Sequence, residues 1–346
     1  MKKFITKTLL FLIPIILLYA FTFNFYTCNK GDLLRLGYVI DLYPDYRSTF
    51  SEEFLKEVKF SKVSENPQKK NFKFLTIGDS FSEQSEYGYQ NYLAKEFDVL
   101  HFDRFMSDNQ IQTLFHMIKG DFFDHYVPEY VILQNVERNF VSNTKSIDTT
   151  KTLTYSNIIS IIDSTKVNSK KQNCDFKFLS NRILKFPYLS FQYFLKEDYI
   201  FNDQVIKAKL NRNDLFSINT SELLFFHYDL EMVQQNNNSE NVTNLNAVLN
   251  RLNTLLNNKG IKLIVLPSPD KYDFYYNFIK NKSLYNAPNF FELLNKTDKE
   301  YIYIDSKKNL TKILTSKKDI YFYDDTHWSP WASQSLAKEI SAIIGK

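Results

Sequence analysis

The chain opens on Lys2 and Lys3 and then runs apolar from Leu9 to Phe23, broken only by Pro14, Tyr19 and Thr22, before fading at Tyr26. That run of about 15 to 18 residues falls between the apolar core of a cleaved secretory signal and a full membrane span of about 17–25 residues. No small-x-small cleavage site follows it, so residues 1–26 read as an uncleaved signal anchor in preference to a cleaved one. Pro14 is compatible with this, because membrane helices tolerate proline. The positive charge precedes the run, which places the body outside the cytoplasm, in the periplasm or at the cell exterior.

Residues 27–70 are polar and mixed, end in Ser64-Glu-Asn-Pro-Gln-Lys-Lys70, and read as a stalk and irregular lead-in. From residue 71 the pattern turns regular. Phe72–Ile77 is a short apolar run stopped by Gly78, Tyr87–Phe97 has helical character, Val99–Phe102 is a second strand, Asn109–Tyr126 a second helix, and Tyr130–Val136 a third strand. Strands alternating with helices predict a parallel sheet with crossover helices. Residues 140–237 break that rhythm with Ser/Thr/Asn loops and aromatic clusters, and are expected to form an irregular insertion or lid. The rhythm resumes with a helix over Glu240–Asn258 closed by Gly260, strands at Ile261–Leu266 and Tyr301–Ile304, and a last helix over Pro330–Ile344. No internal repeat is present, and the two α/β halves flanking the insertion are expected to build one sheet over residues 71–346.

Composition changes this picture little. At 44% hydrophobic and 16% aromatic, 346 residues can bury a substantial core. The net charge of +4 includes Lys2, Lys3 and Lys7, and residues 1–26 hold no acid, which leaves about +1 on the remainder. So neutral a body lacks the footprint of a nucleic-acid binder. Cys28 and Cys174 are the only cysteines, too few for a disulfide scaffold or a metal cluster. Cys28 follows the apolar run as a lipidated cysteine would, but Phe25-Tyr26-Thr27 lacks the small residue such processing prefers.

In open α/β sheets ligands bind beyond the carboxyl ends of the strands. The first strand ends in Gly78-Asp79-Ser80-Phe81-Ser82. A sharp turn at Gly78 puts Ser80 near a helix N-terminus, where free amides can hold an oxyanion; Asp79 and Ser80 are equally good helix caps. Of the five histidines, His116 and His125 fall in a helix and His101 and His227 in aromatic-rich stretches, where packed or solvated rings are expected. His327 stands apart, preceded by Asp324 and Asp325 and flanked by Trp328 and Trp331 just before the last helix. A carboxylate that close can orient the ring and stabilise its imidazolium. An alternative is a plain surface turn with Ser329 as cap and Pro330 at the first helical position.

Gly78–Phe81 and Asp325–Trp328 together resemble the SGNH hydrolase superfamily, and more closely the SGNH-like proteins of alginate and related polysaccharide O-acetylation. Those proteins carry Gly-Asp-Ser-Phe and Asp-Thr-His-Trp blocks, a Glu-Arg pair after a central strand and a Pro-x-Lys-Tyr segment after another; Glu137-Arg138 and Pro269–Tyr272 stand in the last two places. The histidine block follows the serine block, the reverse of the alginate proteins and the order of ordinary SGNH enzymes. The Gly-x-Asn-Asp block that supplies an oxyanion asparagine in many SGNH hydrolases is missing, so Asn135, Glu137 or Arg138 stands in for it or forms an ordinary surface pair.

The resemblance implies a flavodoxin-like three-layer α/β sandwich with Ser80 as nucleophile and His327 as base. The ring is oriented by Asp325, which matches the nearer family, or by Asp324. Asp79, Phe81 and Trp328 of the matching blocks are expected to bind substrate or the oxyanion, and Lys271 and Tyr272 are expected to face the crevice and orient substrate or to begin a solvated helix. The implied function is an extracytoplasmic O-acyltransferase, most readily O-acetyl, acting on an envelope or exported polysaccharide. It needs no metal or diffusible cofactor, and a membrane-bound O-acyltransferase hands over the acyl group. An esterase of acylated polysaccharide or lipid shares the same residues, and a non-catalytic polysaccharide-binding scaffold keeps only the fold.

Overall fold

The computed structural model describes residues 2–26, 31–168 and 180–345. Cys28 and Cys174 lie outside these residues, and with them the questions of lipidation and pairing.

The apolar N-terminal run is one helix, α1 (Lys2–Phe25), long and apolar enough to cross a membrane, with its side chains largely exposed. The body is built on a six-stranded sheet in the order β1-β3-β2-β4-β8-β9, with every pairing parallel. Its strands are β1 (Ser61–Lys62), β2 (Asn71–Ile77), β3 (Val99–Phe102), β4 (Val127–Val136), β8 (Lys262–Ser268) and β9 (Ile302–Tyr303). The five apolar runs read from the sequence are all strands of this sheet. The sixth, β1, comes from the lead-in and pairs through Ser61 and Lys62 with β3.

Along each strand alternate side chains enter opposite cores, as the period of two requires. Phe74, Ile132 and Ile264 face one core, together with Leu336 and Ile340 of the last helix. Leu75, Val131, Leu133, Leu263 and Val265 face the other, with helix α2 (Gln110–Lys119) supplying Ile111, Leu114 and Met117. Helices on both faces make the expected three layers.

The interval between β4 and β8 holds more regular structure than its Ser/Thr/Asn-rich pattern announces. It contains helix α3 (Arg182–Leu195) and a separate antiparallel sheet of β5 (Tyr199–Phe201), β6 (Val205–Lys209) and β7 (Glu222–Phe226). Helix α4 (Ser239–Asn257) leads back to the parallel sheet, packing Leu245, Leu249 and Leu252 on it, and α5 (Pro330–Ile344) closes the chain.

The expectation of a stalk over residues 27–70 is corrected for residues 31–65. Leu33, Leu34, Val39, Tyr46, Phe50, Phe60 and Val63 are all buried in the body. Gly31 presses against the backbone and side chain of Asp324 so closely that any Cβ there would collide. The Tyr46 hydroxyl donates to Asp319 at 2.9 Å and accepts from the Tyr323 amide at 3.0 Å. A polar, aperiodic segment becomes core here because its few apolar residues meet partners far along the chain.

Candidate active site

The carboxyl ends of β2, β4 and β8 deliver three short segments to one edge of the sheet. After β2, the turn Gly78–Ser82 is fixed by hydrogen bonds on either side of Ser80. The Asp79 carboxylate accepts from the Phe81 amide at 3.0 Å and from the Val136 amide at 2.6 Å. Ser82 Oγ donates to Gln134 Oε1 at 2.8 Å, and Gln134 in turn donates to Ser268 Oγ at 2.9 Å. A Cβ on Gly78 would strike Ser82 Oγ and Gln134 Oε1, so the close approach of turn and β4 requires glycine. The cap is therefore Asp79, and it is buried. Ser80 is half-buried, and among the described residues its hydroxyl makes no hydrogen bond. The Phe81 amide serves Asp79 and is not one of the free amides expected here.

Phe81 carries the turn onto the loop that precedes α5 and holds His327. Its fully buried ring lies 4.9 Å from the His327 ring, centroid to centroid, and edge-on to Trp328 at 5.0 Å. Phe81 and Trp328 thus act as packing under the site and offer no surface to a substrate.

Asp325 and Asp324 take different tasks. Asp325 Oδ1 lies 2.5 Å from His327 Nδ1 and accepts the His327 amide at 3.1 Å. The Asp324 carboxylate instead accepts from the Gly31 amide at 3.0 Å and from Arg47 at 3.1 Å. Arg47 also reaches Asp325 Oδ2 at 2.8 Å, bridging both carboxylates. Asp32 holds Thr326 through its amide at 2.8 Å and its hydroxyl at 2.6 Å, and lies 3.8 Å from His327 Nδ1.

These charges set the protonation of the ring. Burial works against the imidazolium, but Asp325, helped by its hydrogen bond and by Asp32, outweighs it and raises the His327 pKa. Burial likewise pushes against the Asp325 carboxylate, yet His327 and then Arg47 hold it well below the usual carboxylate range. Asp32 is pushed up to about 6, by burial first and the neighbouring Asp325 charge second. Nδ1 is thereby committed to Asp325. Among the described residues Nε2 is buried without a hydrogen-bond partner, so the hydrogen bond that a Ser80 nucleophile and a His327 base call for is not formed here. Such bonds often tighten only with substrate in place.

After β4, Glu137 and Arg138 are buried, which corrects the surface-pair alternative. Arg138 bonds Asp229 at 2.9 Å and Asp270 at 2.8 Å, and its guanidinium carbon lies 6.0 Å from the Phe81 ring centroid. Glu137 accepts the Asp270 amide at 3.3 Å, and burial beside Asp273 and Asp270 raises its pKa well above normal. Asn135 is fully engaged, donating to Gln110 at 3.0 Å and accepting from Asn143 at 3.2 Å.

The expectation that Lys271 and Tyr272 face the crevice is also corrected. Lys271 is fully buried and gives its ammonium protons to the carbonyls of Phe322, Tyr323 and Asp325 at 2.7, 2.8 and 3.1 Å. Burial lowers its pKa to about 7 against the pull of the nearby carboxylates. Tyr272 is buried against Phe225, and its hydroxyl goes to the Asn286 carbonyl. Lys271 thus holds the loop that presents His327, while Tyr272 packs on β7 and the Asn286 turn.

A polar cavity of about 510 Å³ opens beside the Ser80 turn, lined by Asp79, Glu83, Arg104, Ser107, Gln110 and Asn143 among others. The other histidines are occupied elsewhere: His101 with Glu83 and Thr76, His116 with the Asp148 carbonyl, His125 stacked on Tyr155, and His227 with the Asp203 carbonyl. Asp32, Asp325 and His327 bring potential metal-ligand atoms within 4.8 Å of one another. In the structure those atoms are turned toward each other and Thr326. Asp32, Arg47, Asp229 and Gln134 were not among the residues singled out from the sequence, and no local pattern marks them.

A parallel sheet whose carboxyl edge brings a Gly-Asp-Ser turn to a carboxylate-held histidine ahead of the last helix is similar to the arrangement of SGNH hydrolase-like domains. Residues 224–346 match the family model described as SGNH hydrolase-like domain, acetyltransferase AlgX, and that segment carries the Asp-Thr-His-Trp block. The resemblance drawn from the sequence is borne out there, and acyltransferase or esterase chemistry is supported. Comparisons with curated proteins and with solved structures found no match.

Proposed function

We propose that the chain is an extracytoplasmic polysaccharide O-acyltransferase, acting through Ser80, His327 and Asp325. The observation that carries this reading is the His327 ring: Nδ1 held by Asp325, Nε2 buried without a partner, and the ring packed on Phe81, next to Ser80. His327 Nε2 takes the Ser80 proton as Oγ attacks the acyl carbonyl, then returns it to the donor's leaving group, leaving acyl-Ser80. A sugar hydroxyl attacks this ester, gives its proton to Nε2, and departs acylated as Oγ is reprotonated. Arg138, already paired with Asp229 and Asp270, sets a guanidinium on the Phe81 side of the site. The polar cavity beside Asp79 supports a hydroxyl-rich acceptor, and α1 supports attachment to the membrane, where a membrane-bound O-acyltransferase supplies the acyl group.

The test is to treat the purified chain with an activated acetyl ester and locate the adduct by mass spectrometry. Acetyl on Ser80, lost in Ser80→Ala and His327→Ala, is the expected result. A folded Ser80→Ala variant that still acetylates polysaccharide in cells would move the reading to a scaffold, and an adduct discharged only to water would move it to an esterase.

A further inference from the structure

Helix α3 is apolar on both sides, and only one side is satisfied by the body. Phe186, Leu189, Ser190 and Tyr193, spaced three and four apart, are buried, and Ser190 Oγ accepts the Ile40 amide at 3.0 Å while Tyr193 donates to Glu222 at 2.9 Å. The opposite side presents Leu184 at 64% exposure, Tyr188 at 58%, Phe191 at 60% and Phe194 at 60%. A helix apolar all round is ordinarily buried all round, and a continuous exposed apolar patch marks a surface that meets something.

The surface continues onto α1. Thr22 Oγ1 donates to the Ile183 carbonyl at 3.2 Å, Phe21 stands 5.8 Å from Phe186, and Arg182 lies over Tyr26 at 5.3 Å. Between the two helices an apolar groove of about 1660 Å³ runs from Pro14, Leu17 and Phe21 to Tyr188 and Phe191. Exposed apolar residues of α1 such as Leu10, Phe11 and Leu17 extend the same surface. Basic residues flank the exposed face of α3: Arg182 and Lys185 near its start and Lys196 just after its end. Apolar and aromatic side chains between basic residues suit a helix seated at the boundary of headgroups and acyl chains.

We infer that the outer face of α3 lies in the membrane surface beside α1, giving the body a second, lipid-facing contact that fixes its orientation on the bilayer. The occupant of the groove is lipid. This rests on the membrane attachment of α1, and the experiment separates the two.

The full chain, with Cys28 and Cys174 replaced by serine, is reconstituted into phosphatidylglycerol-containing vesicles and carries one nitroxide label at a time. Labels at Tyr188→Cys and Phe191→Cys test α3, Leu12→Cys tests α1, and Thr311→Cys, exposed on the body, reports water. The expected result is nickel-chelate collision severalfold lower and oxygen collision severalfold higher at 12, 188 and 191 than at 311. Water-like values at 188 and 191 with lipid-like values at 12 overturn the inference and leave the anchor standing. Shielding of 188 and 191 from both reagents overturns it in favour of a protein partner or second copy. Water-like values at all three positions remove the anchor and the inference together.

Discussion

At the scale of single residues, the two aspartates ahead of His327 differ in what they touch, and this predicts opposite phenotypes. Asp325→Asn replaces the carboxylate on Nδ1 and should lower turnover of an activated acetyl ester by about 10³–10⁴-fold with the ring still in place. Asp324→Asn removes charge from a group bonded to Gly31 and Arg47, so it should lower the melting temperature more than the rate. Rates and melts of both variants, side by side, check this; equal rates would remove Asp325 from the mechanism. The same contacts fix the pH dependence. The pKa of His327 is raised above the 6.5 of an ordinary imidazole, and a general base works only when neutral, so turnover should rise with pH through a midpoint above 6.5. Asp325→Asn should bring that midpoint down, and a pH profile unmoved by the substitution would sink the assignment. By linkage, the charged ring stabilises the fold fully below its unfolded pKa, and that contribution is lost as pH rises through the raised folded value.

At the scale of elements, the histidine loop is held from behind by one cation and from the side by the segment before β1. Lys271→Met keeps the length of the side chain but strips the donors from the carbonyls of Phe322, Tyr323 and Asp325. Each buried carbonyl left unpaired costs about 1–3 kcal/mol, so thermal melts should show a clearly lowered midpoint and ester turnover should fall with it. Full stability in Lys271→Met would mean that the loop is held otherwise. Five strands of the parallel sheet, α4 and α5 were legible in the sequence because each carries its own apolar period or stop signal, as with Gly78 after β2 and Pro330 at the start of α5, whereas β1 and the small antiparallel sheet of β5, β6 and β7 carry none strong enough to stand out. Ser80 and His327 were legible because turn chemistry and neighbouring carboxylates are local. Asp32 and Arg47 were not, since their partners lie in the loop after residue 323 and a contact across that much chain leaves no mark on the residues beside it. Lys271 was misread for a related reason: its position at a strand end was visible, but the carbonyls filling its shell belong to another segment.

At the scale of the molecule, the order of elements ties the site to the apolar helix at the start of the chain. Helix α1 stops at Phe25, and Gly31 already donates to Asp324, one residue from the carboxylate that holds His327. Five residue steps from Tyr26 to Gly31 span at most about 18 Å, so the histidine loop stays close to the end of α1. For an acyltransferase fed by a membrane partner, that short tether keeps the acceptor serine near the donor and raises its effective concentration. Inserting about 20 Gly/Ser residues after Tyr26, which adds roughly 25 Å of flexible reach, leaves every contact of Gly31, Asp32 and Arg47 intact. The purified variant should therefore turn over a soluble acetyl ester as the parent does, while acetylation of the polysaccharide in cells falls. Equal loss of both activities would show that the insertion damages the site itself. Undiminished acetylation in cells with normal ester turnover would show that the short tether is not what keeps Ser80 near the donor, the packing of α1 on α3 being enough.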